Sequence, residues 1–196
     1  MTGIVLAGGR STRLQRNKAL VEMGGATLVE RQIRRLEGIC REVILVVNDA
    51  EPYRHLGVRV VLDRYRGKGP LAGIHAGLEA SGDAYNFVLA CDMPFFSPEL
   101  ALYLRALAPG YQVVVPCPGG LYEPLHAIYA IDCLPAIEAT LVQEGVPRIV
   151  AFYPRVKVYQ VADEELAPFG SPQHLFFNLN TPQDLQRALA LQALER

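Results

Sequence analysis

Two glycines and several basic residues lie close together near the start of the chain, in the stretch VLAGGRSTRLQRNK at residues 5–18. Gly8 and Gly9 directly follow a strand-like apolar run, and residues without a Cβ let the backbone fold closely around a phosphate, whose oxygens accept N–H hydrogen bonds. The basic side chains beyond them are Arg10, Arg13, Arg16 and Lys18. We therefore predict that this loop binds a polyphosphate, the alternative being a tight strand-to-helix turn with solvated basic residues.

Acidic and amide side chains follow other apolar runs. Asp92 ends the run VLACD, and its carboxylate is a hard ligand that can hold Mg²⁺ against substrate phosphates, although it could instead cap the helix predicted to begin near residue 98. Asn48 and Asp63 end two further runs, where short polar side chains can bind a base or a ribose. Each of these residues alone is also common in turns.

A second glycine motif suggests a different class of protein. Gly67, Gly69 and Ala72 satisfy G-x-G-x-x-G/A, and Asp92 lies 20 residues beyond Ala72, as in a dinucleotide-dependent dehydrogenase. However, the motif follows the polar tract DRYRGK rather than a strand, and Pro70 occupies its middle. We therefore favour the loop at residues 5–18 as the phosphate site.

The elements that would position these residues alternate along the first 116 residues. Predicted strands are residues 3–7, 42–48, 58–62, 85–90 and 111–115, and predicted helices are residues 27–38, 70–81 and 97–108. Such alternation predicts an α/β fold with a mostly parallel sheet covered by helices on both faces. Ligands bind such sheets at the carboxyl ends of the strands, where the polar residues above lie. Residues 117–196 are predicted to extend the same sheet.

Composition limits the possible functions. The chain has 196 residues, 51% hydrophobic and 20% charged, which suits one globular domain. A formal net charge of −1 argues against a general nucleic-acid binder. The chain has no apolar run of the roughly 18 residues that a membrane span needs and no leader of signal-peptide form, so we expect a cytoplasmic protein. Its four cysteines are far apart, which argues against a zinc site and indicates reduced thiols.

The sequence resembles a known family in five ordered blocks. VLAGGRSTRLQRNKAL resembles the L-A-G-G-x-S-x-R-[ML]-G-x-D-K signature of the nucleotidyltransferases that act on the molybdenum cofactor, in particular the guanylyl-transferring group. GPLAGIHAGL, LACDMPFFSPEL, EPLHAIYA and FFNLNTPQDL resemble its later blocks, so the resemblance covers nearly the whole chain. Sugar-phosphate nucleotidyltransferases share a form of the first block, but they are usually longer and lack the NLNTP ending.

The resemblance implies a single-domain Rossmann-like fold of the GT-A nucleotidyltransferase type. It also implies GTP and molybdopterin as substrates, Mg²⁺ as cofactor and pyrophosphate as product. Residues 1–116 would form the nucleotide-binding half and residues 117–196 the acceptor-binding extension. Other enzymes of molybdenum cofactor biosynthesis, or the enzymes that use the cofactor, are possible partners.

Most of the residues singled out above receive a role from the resemblance. The implied nucleotide-binding residues are Leu6, Ala7, Gly8, Gly9, Lys18, Asn48, Asp63 and Asp92. The implied catalytic residues are Lys18, Arg13 and Asp92, with Asp92 as the metal ligand, and the implied molybdopterin-binding residues are Asn178 and Asn180.

Two positions depart from the signature. Gln15 stands where the signature has glycine, and Asn17 stands where it has aspartate. These departures leave open a nucleotide-binding regulatory protein that has lost turnover. The related cytidylyltransferases also remain an alternative, although they commonly have alanine in place of Gly8, so that L-A-G-G favours guanine.

Overall fold

A computed structural model describes residues 1–8 and 18–194. Within these residues the strands are β1 (Thr2–Leu6), β2 (Glu22–Met23), β3 (Ala26–Thr27), β4 (Glu42–Val47), β5 (Arg59–Leu62), β6 (Tyr85–Ala90), β7 (Val113–Pro116), β8 (His126–Ala130) and β9 (Val158–Val161). The α-helices in the same ranges are α1 (Leu28–Glu37), α2 (Pro70–Ala80), α3 (Pro98–Leu107), α4 (Leu134–Leu141), α5 (Asp163–Leu166), α6 (Pro172–Leu175) and α7 (Pro182–Leu194). The predicted sites at Gly9 and Arg13, and the departures at Gln15 and Asn17, lie outside the described residues.

The described strands form a seven-stranded sheet in the order β5-β4-β1-β6-β8-β7-β9 and a separate hairpin of β2 and β3. Neighbouring strands of the large sheet are parallel, except that β8 runs antiparallel to both β6 and β7. The predicted α/β class with a mostly parallel sheet is confirmed. Strands β8 and β9, from the second half of the chain, lie in the same sheet as the first half.

Helices cover both faces of the sheet because consecutive side chains of a strand point to opposite faces. Val5 of β1 packs in the cluster that contains buried residues of α1 and α3, whereas Ile4 packs in the cluster that contains buried residues of α2 and α4. Both faces of β1 are therefore buried, which explains why its sequence is apolar throughout.

Two helix starts follow from their capping residues. Thr27 accepts a hydrogen bond from the Glu30 amide while the Glu30 carboxylate accepts one from the Thr27 amide, a capping box that begins α1. Ser97 accepts a hydrogen bond from the Leu100 amide at 3.0 Å and begins α3. Ser97 therefore has the capping role at α3 that the alternative interpretation assigned to Asp92.

The C-terminal segment returns to the first half of the chain. Leu179 and Ala188 are buried in a small cluster with Met23 and Leu28 of the hairpin region and with Phe95. This packing brings the segment NLNTP to the carboxyl ends of β1 and β6. In the described part of the chain, no helix is both long enough and apolar enough to span a membrane.

Candidate active site

The candidate site lies along one edge of the sheet, where four parallel strands end. Asp63 follows β5, Asn48 follows β4, Gly8 lies two residues beyond β1 and Asp92 lies two residues beyond β6. Since these strands are adjacent and parallel, the four residues form a row in the order Asp63, Asn48, Gly8, Asp92. The same edge of the sheet continues past β6, because the antiparallel β8 begins there.

Three segments meet at Lys18. Its ammonium group donates a hydrogen bond to Asp92 Oδ2 at 3.0 Å and another to Asn180 Oδ1 at 2.5 Å. The Lys18 and Asp92 side chains are 19% and 18% exposed, so the pair is largely shielded but still reachable by a ligand. The structure thus brings together three of the predicted residues that are 74 and 162 positions apart in sequence.

Backbone hydrogen bonds fix the position of Asp92. The Cys91 amide donates to the Leu6 carbonyl at 3.1 Å, and the Leu179 amide donates to the Asp92 carbonyl at 2.8 Å. The first bond ties the end of β6 to the end of β1, and the second ties the NLNTP segment to Asp92 itself. The carboxylate therefore stands on backbone that is held from both sides.

Helix α1 holds the chain just after Asp92, a role that the sequence interpretation missed. Gln32, which is fully buried, donates from Nε2 to the Met93 carbonyl at 2.5 Å. Arg35 donates from Nη1 to the carbonyls of Pro94 and Phe96 at 3.0 and 3.2 Å. A glutamine within the buried stripe of α1 was the available signal, since buried amides need partners.

Gly8, Asn48 and Asp63 form one half of the row, at the ends of β1, β4 and β5. A Cβ on Gly8 would lie 3.4 Å from Asn48 Oδ1, so the amide of Asn48 borders the glycine closely. Leu6 and Ala7 have buried side chains, which leaves only their backbone for a ligand, and the Ala7 amide already donates to the Val46 carbonyl at 2.9 Å.

Asp63 is held in a turn. Its carboxylate accepts a hydrogen bond from the Tyr65 amide at 2.8 Å. Partial burial raises the pKa of Asp63 above its usual value, and the Tyr65 hydrogen bond opposes that shift. Asp63 therefore has the turn-forming role that its residue type suggests, and it lies at the same edge of the sheet as Asn48.

The two asparagines of NLNTP have different contacts. Asn180 contacts Lys18, as described above, whereas Asn178 donates from Nδ2 to the nearby Phe176 carbonyl at 3.0 Å. Thr181 accepts a hydrogen bond from the Asp184 amide at 3.1 Å at the start of α7. The cap of α7 is thus Thr181, and neither asparagine side chain provides it.

Two histidines, His75 and His126, are buried in the core. His126 is fully buried and packs edge-on against Phe87 and Phe176, with both ring nitrogens unpaired, and burial lowers its pKa to about 3. His75 is also buried, and its Nε2 lies 3.0 Å from Glu138 Oε1. This packing is typical of structural residues rather than of general bases.

Comparisons with known proteins agree on one family. A family model described as "MobA-like NTP transferase domain" matches residues 3–158. A protein of Pelotomaculum thermopropionicum named "Probable molybdenum cofactor guanylyltransferase" is 43% identical over 95% of this chain and 91% of its own. The "Molybdenum cofactor guanylyltransferase" of Desulfosudis oleivorans is 35% identical over 97% of this chain and 95% of its own.

A solved structure supports the same grouping. The crystal structure of molybdopterin-guanine dinucleotide biosynthesis protein A from Archaeoglobus fulgidus superposes with a TM-score of 0.85 at 30% identity. The match covers 99% of this chain and 100% of that one. Fold and sequence similarity therefore extend over the whole chain, including the C-terminal segment with Asn178 and Asn180.

Proposed function

Because the chain belongs to the family of MobA-like NTP transferase domains, we propose that it transfers GMP from GTP to the phosphate of molybdopterin and releases pyrophosphate. The names of its relatives and the L-A-G-G form of its first block support this choice of substrates. The observation that carries the proposal is the Lys18–Asp92–Asn180 cluster, which joins a cation, a candidate metal ligand and an amide of the acceptor side.

The reaction joins two anions, so the protein must mainly orient and neutralise them. An oxygen of the molybdopterin phosphate forms a bond to the α-phosphorus of GTP, and the bond from that phosphorus to the bridging oxygen of the β-phosphate breaks. The electron pair of the broken bond leaves with pyrophosphate. The Lys18 ammonium would stabilise the charge on the outer phosphates, and Arg13 and the backbone of Gly8 and Gly9 would share this role.

Mg²⁺ is the cofactor that fits the site. Asp92 presents an exposed part of a carboxylate at the strand end, and hard oxygen ligands together with substrate phosphates are the coordination that Mg²⁺ prefers. When bound there, Mg²⁺ supplies positive charge to both substrates. Asp92 would hold it, while Lys18 would shift from Asp92 towards the outer phosphates.

The remaining assignments belong to the same proposal. Asn48 and Asp63 would bind the guanosine, Leu6 and Ala7 would contact it through their backbone, and Asn178 and Asn180 would bind molybdopterin. Residues 1–116 would serve as the nucleotide-binding half and residues 117–196 as the acceptor-binding extension. We also propose that the protein works in the cytoplasm, with the enzymes that make or use the molybdenum cofactor as further partners.

The test is to incubate the protein with Mg²⁺, molybdopterin and each nucleoside triphosphate in turn, and to measure pyrophosphate and the dinucleotide product. We expect product with GTP and little with CTP. Product with CTP alone would make the chain a cytidylyltransferase. Nucleotide binding without any product would support the regulatory alternative.

A variant tests the role of Asp92. We expect Asp92→Asn to lower kcat by orders of magnitude with little change in Tm, because the side chain lies at the rim of the sheet rather than in the core. Full activity of this variant would exclude Asp92 as the metal ligand. Glu144→Gln, at an exposed position between α4 and β9, is the matched control for loss of one negative charge.

A further inference from the structure

Glu123 is a carboxylate at the active-site edge that has no side-chain partner among residues 1–8 and 18–194. It lies in the segment between β7 and β8 and is partly buried. Among the described residues none donates a hydrogen bond to its carboxylate or forms an ion pair with it, and burial alone raises its pKa above the usual value. A partly buried carboxylate without protein donors is left to water or to a ligand, and a ligand with N–H donors can satisfy it directly.

Hydrogen bonds fix the backbone around Glu123. Its amide donates to the Pro116 carbonyl at 2.9 Å, and its carbonyl accepts from the His126 amide at 3.0 Å. Two residues further along, the Leu125 carbonyl accepts from the Ala90 amide at the end of β6, also at 3.0 Å. Glu123 therefore stands on a fixed support beside the strand that leads to Asp92.

The strand order places Glu123 on the acceptor side of Asp92. β6 has β1 on one side and β8 on the other, and the residues proposed to bind guanosine lie beyond β1, after β4 and β5. Glu123 immediately precedes β8, on the opposite side of β6. A dinucleotide product lying along this edge would have its guanine near Asp63 and Asn48 and its pterin near Glu123.

The chemistry of a pterin ring matches this carboxylate. The 2-amino-4-oxo ring of a pterin presents a ring N–H and an amino N–H side by side, and an ionised carboxylate has two oxygens that can accept both hydrogen bonds. Guanine has the same pair of donors. The row of residues thus offers one carboxylate for each ring, Asp63 on the guanosine side and Glu123 on the other.

We propose that Glu123 binds the N–H donors of the pterin ring of the acceptor. It would thereby select an acceptor that has a 2-amino-4-oxo pterin ring. This inference rests on the proposed function, since it takes molybdopterin as the acceptor. Asn178 and Asn180 would then contact other parts of the same molecule.

The first experiment compares Glu123→Gln with the wild type and with the exposed control Glu144→Gln. Glutamine keeps the shape of the side chain but turns one acceptor into a donor that faces the donors of the ring. We expect the KM for molybdopterin to rise by about 10-fold or more, with the Kd for GTP and the Tm unchanged. The control should match the wild type in all of these measurements.

Two results of this comparison would overturn the proposal. An unchanged KM for molybdopterin in Glu123→Gln would remove Glu123 from the acceptor site. A weaker Kd for GTP with an unchanged KM for molybdopterin would show that Glu123 binds guanine instead of the pterin.

A second experiment does not depend on turnover and separates this inference from the proposed function. Pterin and lumazine are titrated into wild type and Glu123→Gln, lumazine having an oxo group in place of the 2-amino group. We expect the wild type to prefer pterin and the variant to lose that preference. Absence of any preference in the wild type overturns the proposal, whereas absence of guanylyl transfer with the preference intact overturns only the proposed function.

Discussion

Lys18 is the residue on which the proposed nucleotide and acceptor sides converge. Its ammonium group is shared between the Asp92 carboxylate and the Asn180 amide oxygen. Both contacts lie at the position proposed for the phosphates and the metal. To bind the triphosphate, this ammonium group must break its contacts within the protein. Its net contribution to the binding free energy therefore depends on how much charge the ligand carries.

Lys18→Ala should therefore weaken GTP binding more than GMP binding, by roughly 1.5–3 kcal/mol, the value of a charge-assisted hydrogen bond. Calorimetry with the two nucleotides measures the difference directly. Lys157→Ala, an exposed lysine just before β9 at the opposite edge of the sheet, is the control. Equal losses for GTP and GMP would place Lys18 away from the outer phosphates.

His126 should make the free energy of unfolding depend on pH. Its pKa in the folded protein is about 3, against 6.5 for an unperturbed histidine. As the pH falls below 6.5, the unfolded chain binds a proton here while the folded protein does not, so stability is lost. We expect a loss of about 2 kcal/mol from this residue between pH 6.5 and about pH 5.

The variant His126→Phe isolates this contribution, because phenylalanine keeps a ring among Phe87 and Phe176 and does not titrate. Chemical denaturation of wild type and variant at several pH values measures it. The gap in unfolding free energy should grow as the pH falls from 6.5. Parallel curves would mean that His126 finds a partner for its charge when protonated.

At the scale of elements, α2 and β1 approach each other unusually closely. A Cβ added to Gly77 of α2 would lie 2.4 Å from Ile4 Cγ2, a side chain that is fully buried in β1. A Cβ on Gly73, one turn earlier, would meet the end of the Leu6 side chain at 3.3 Å. The close approach lets α2 lie flat on the strand that leads into the proposed phosphate loop.

Gly77→Ala should destabilise the protein by about 1–3 kcal/mol, because the methyl group forces Ile4 out of place in a close-packed core. Gly73→Ala is the matched control, since a small shift of Leu6 makes room and alanine favours the helix by about 1 kcal/mol. Thermal unfolding of both variants makes the comparison. Equal stability of the two would show that β1 can move away from α2 freely.

At the scale of the whole molecule, the active site depends on the return of the C-terminal segment. The Leu179 amide reaches the Asp92 carbonyl, and Leu179 itself is buried against Met23 and Phe95. The segment with Asn178 and Asn180 is thus held against the ends of β1 and β6 by both backbone hydrogen bonding and apolar packing. A variant that removes only one amide side chain can therefore be distinguished from a variant that loosens the whole segment.

Asn180→Ala should weaken molybdopterin binding by roughly 1–3 kcal/mol, because a polar group of the ligand is left unpaired, while GTP affinity is not lowered and Tm stays unchanged. Thr181→Ala is the comparison, since it removes the cap of α7 and should lower stability by about 1 kcal/mol. A lower Tm for Asn180→Ala with unchanged molybdopterin binding would assign Asn180 to the fold, and the acceptor site would then centre on the segment before β8.

The sequence by itself determined the order of elements and the chemistry at the strand ends. Apolar runs and helix starts predict the α/β sheet, since burial on both faces of a parallel strand requires apolar side chains throughout. Strand ends of a parallel sheet share one edge, so Asn48, Asp63 and Asp92 could be assigned to one site before any coordinates. The resemblance then extended the assignment to Asn178 and Asn180.

Only the tertiary structure decided which of these residues touch each other and what supports them. The contact of Lys18 with Asn180 spans 162 positions, and the Gln32 hydrogen bond to Met93 spans 61, which no local periodicity encodes. The antiparallel direction of β8 brings Glu123 to the active-site edge, and that direction follows from long-range strand pairing rather than from the apolar pattern of β8. Local sequence determines which side chains are buried, but the packing of distant segments determines which polar groups face each other.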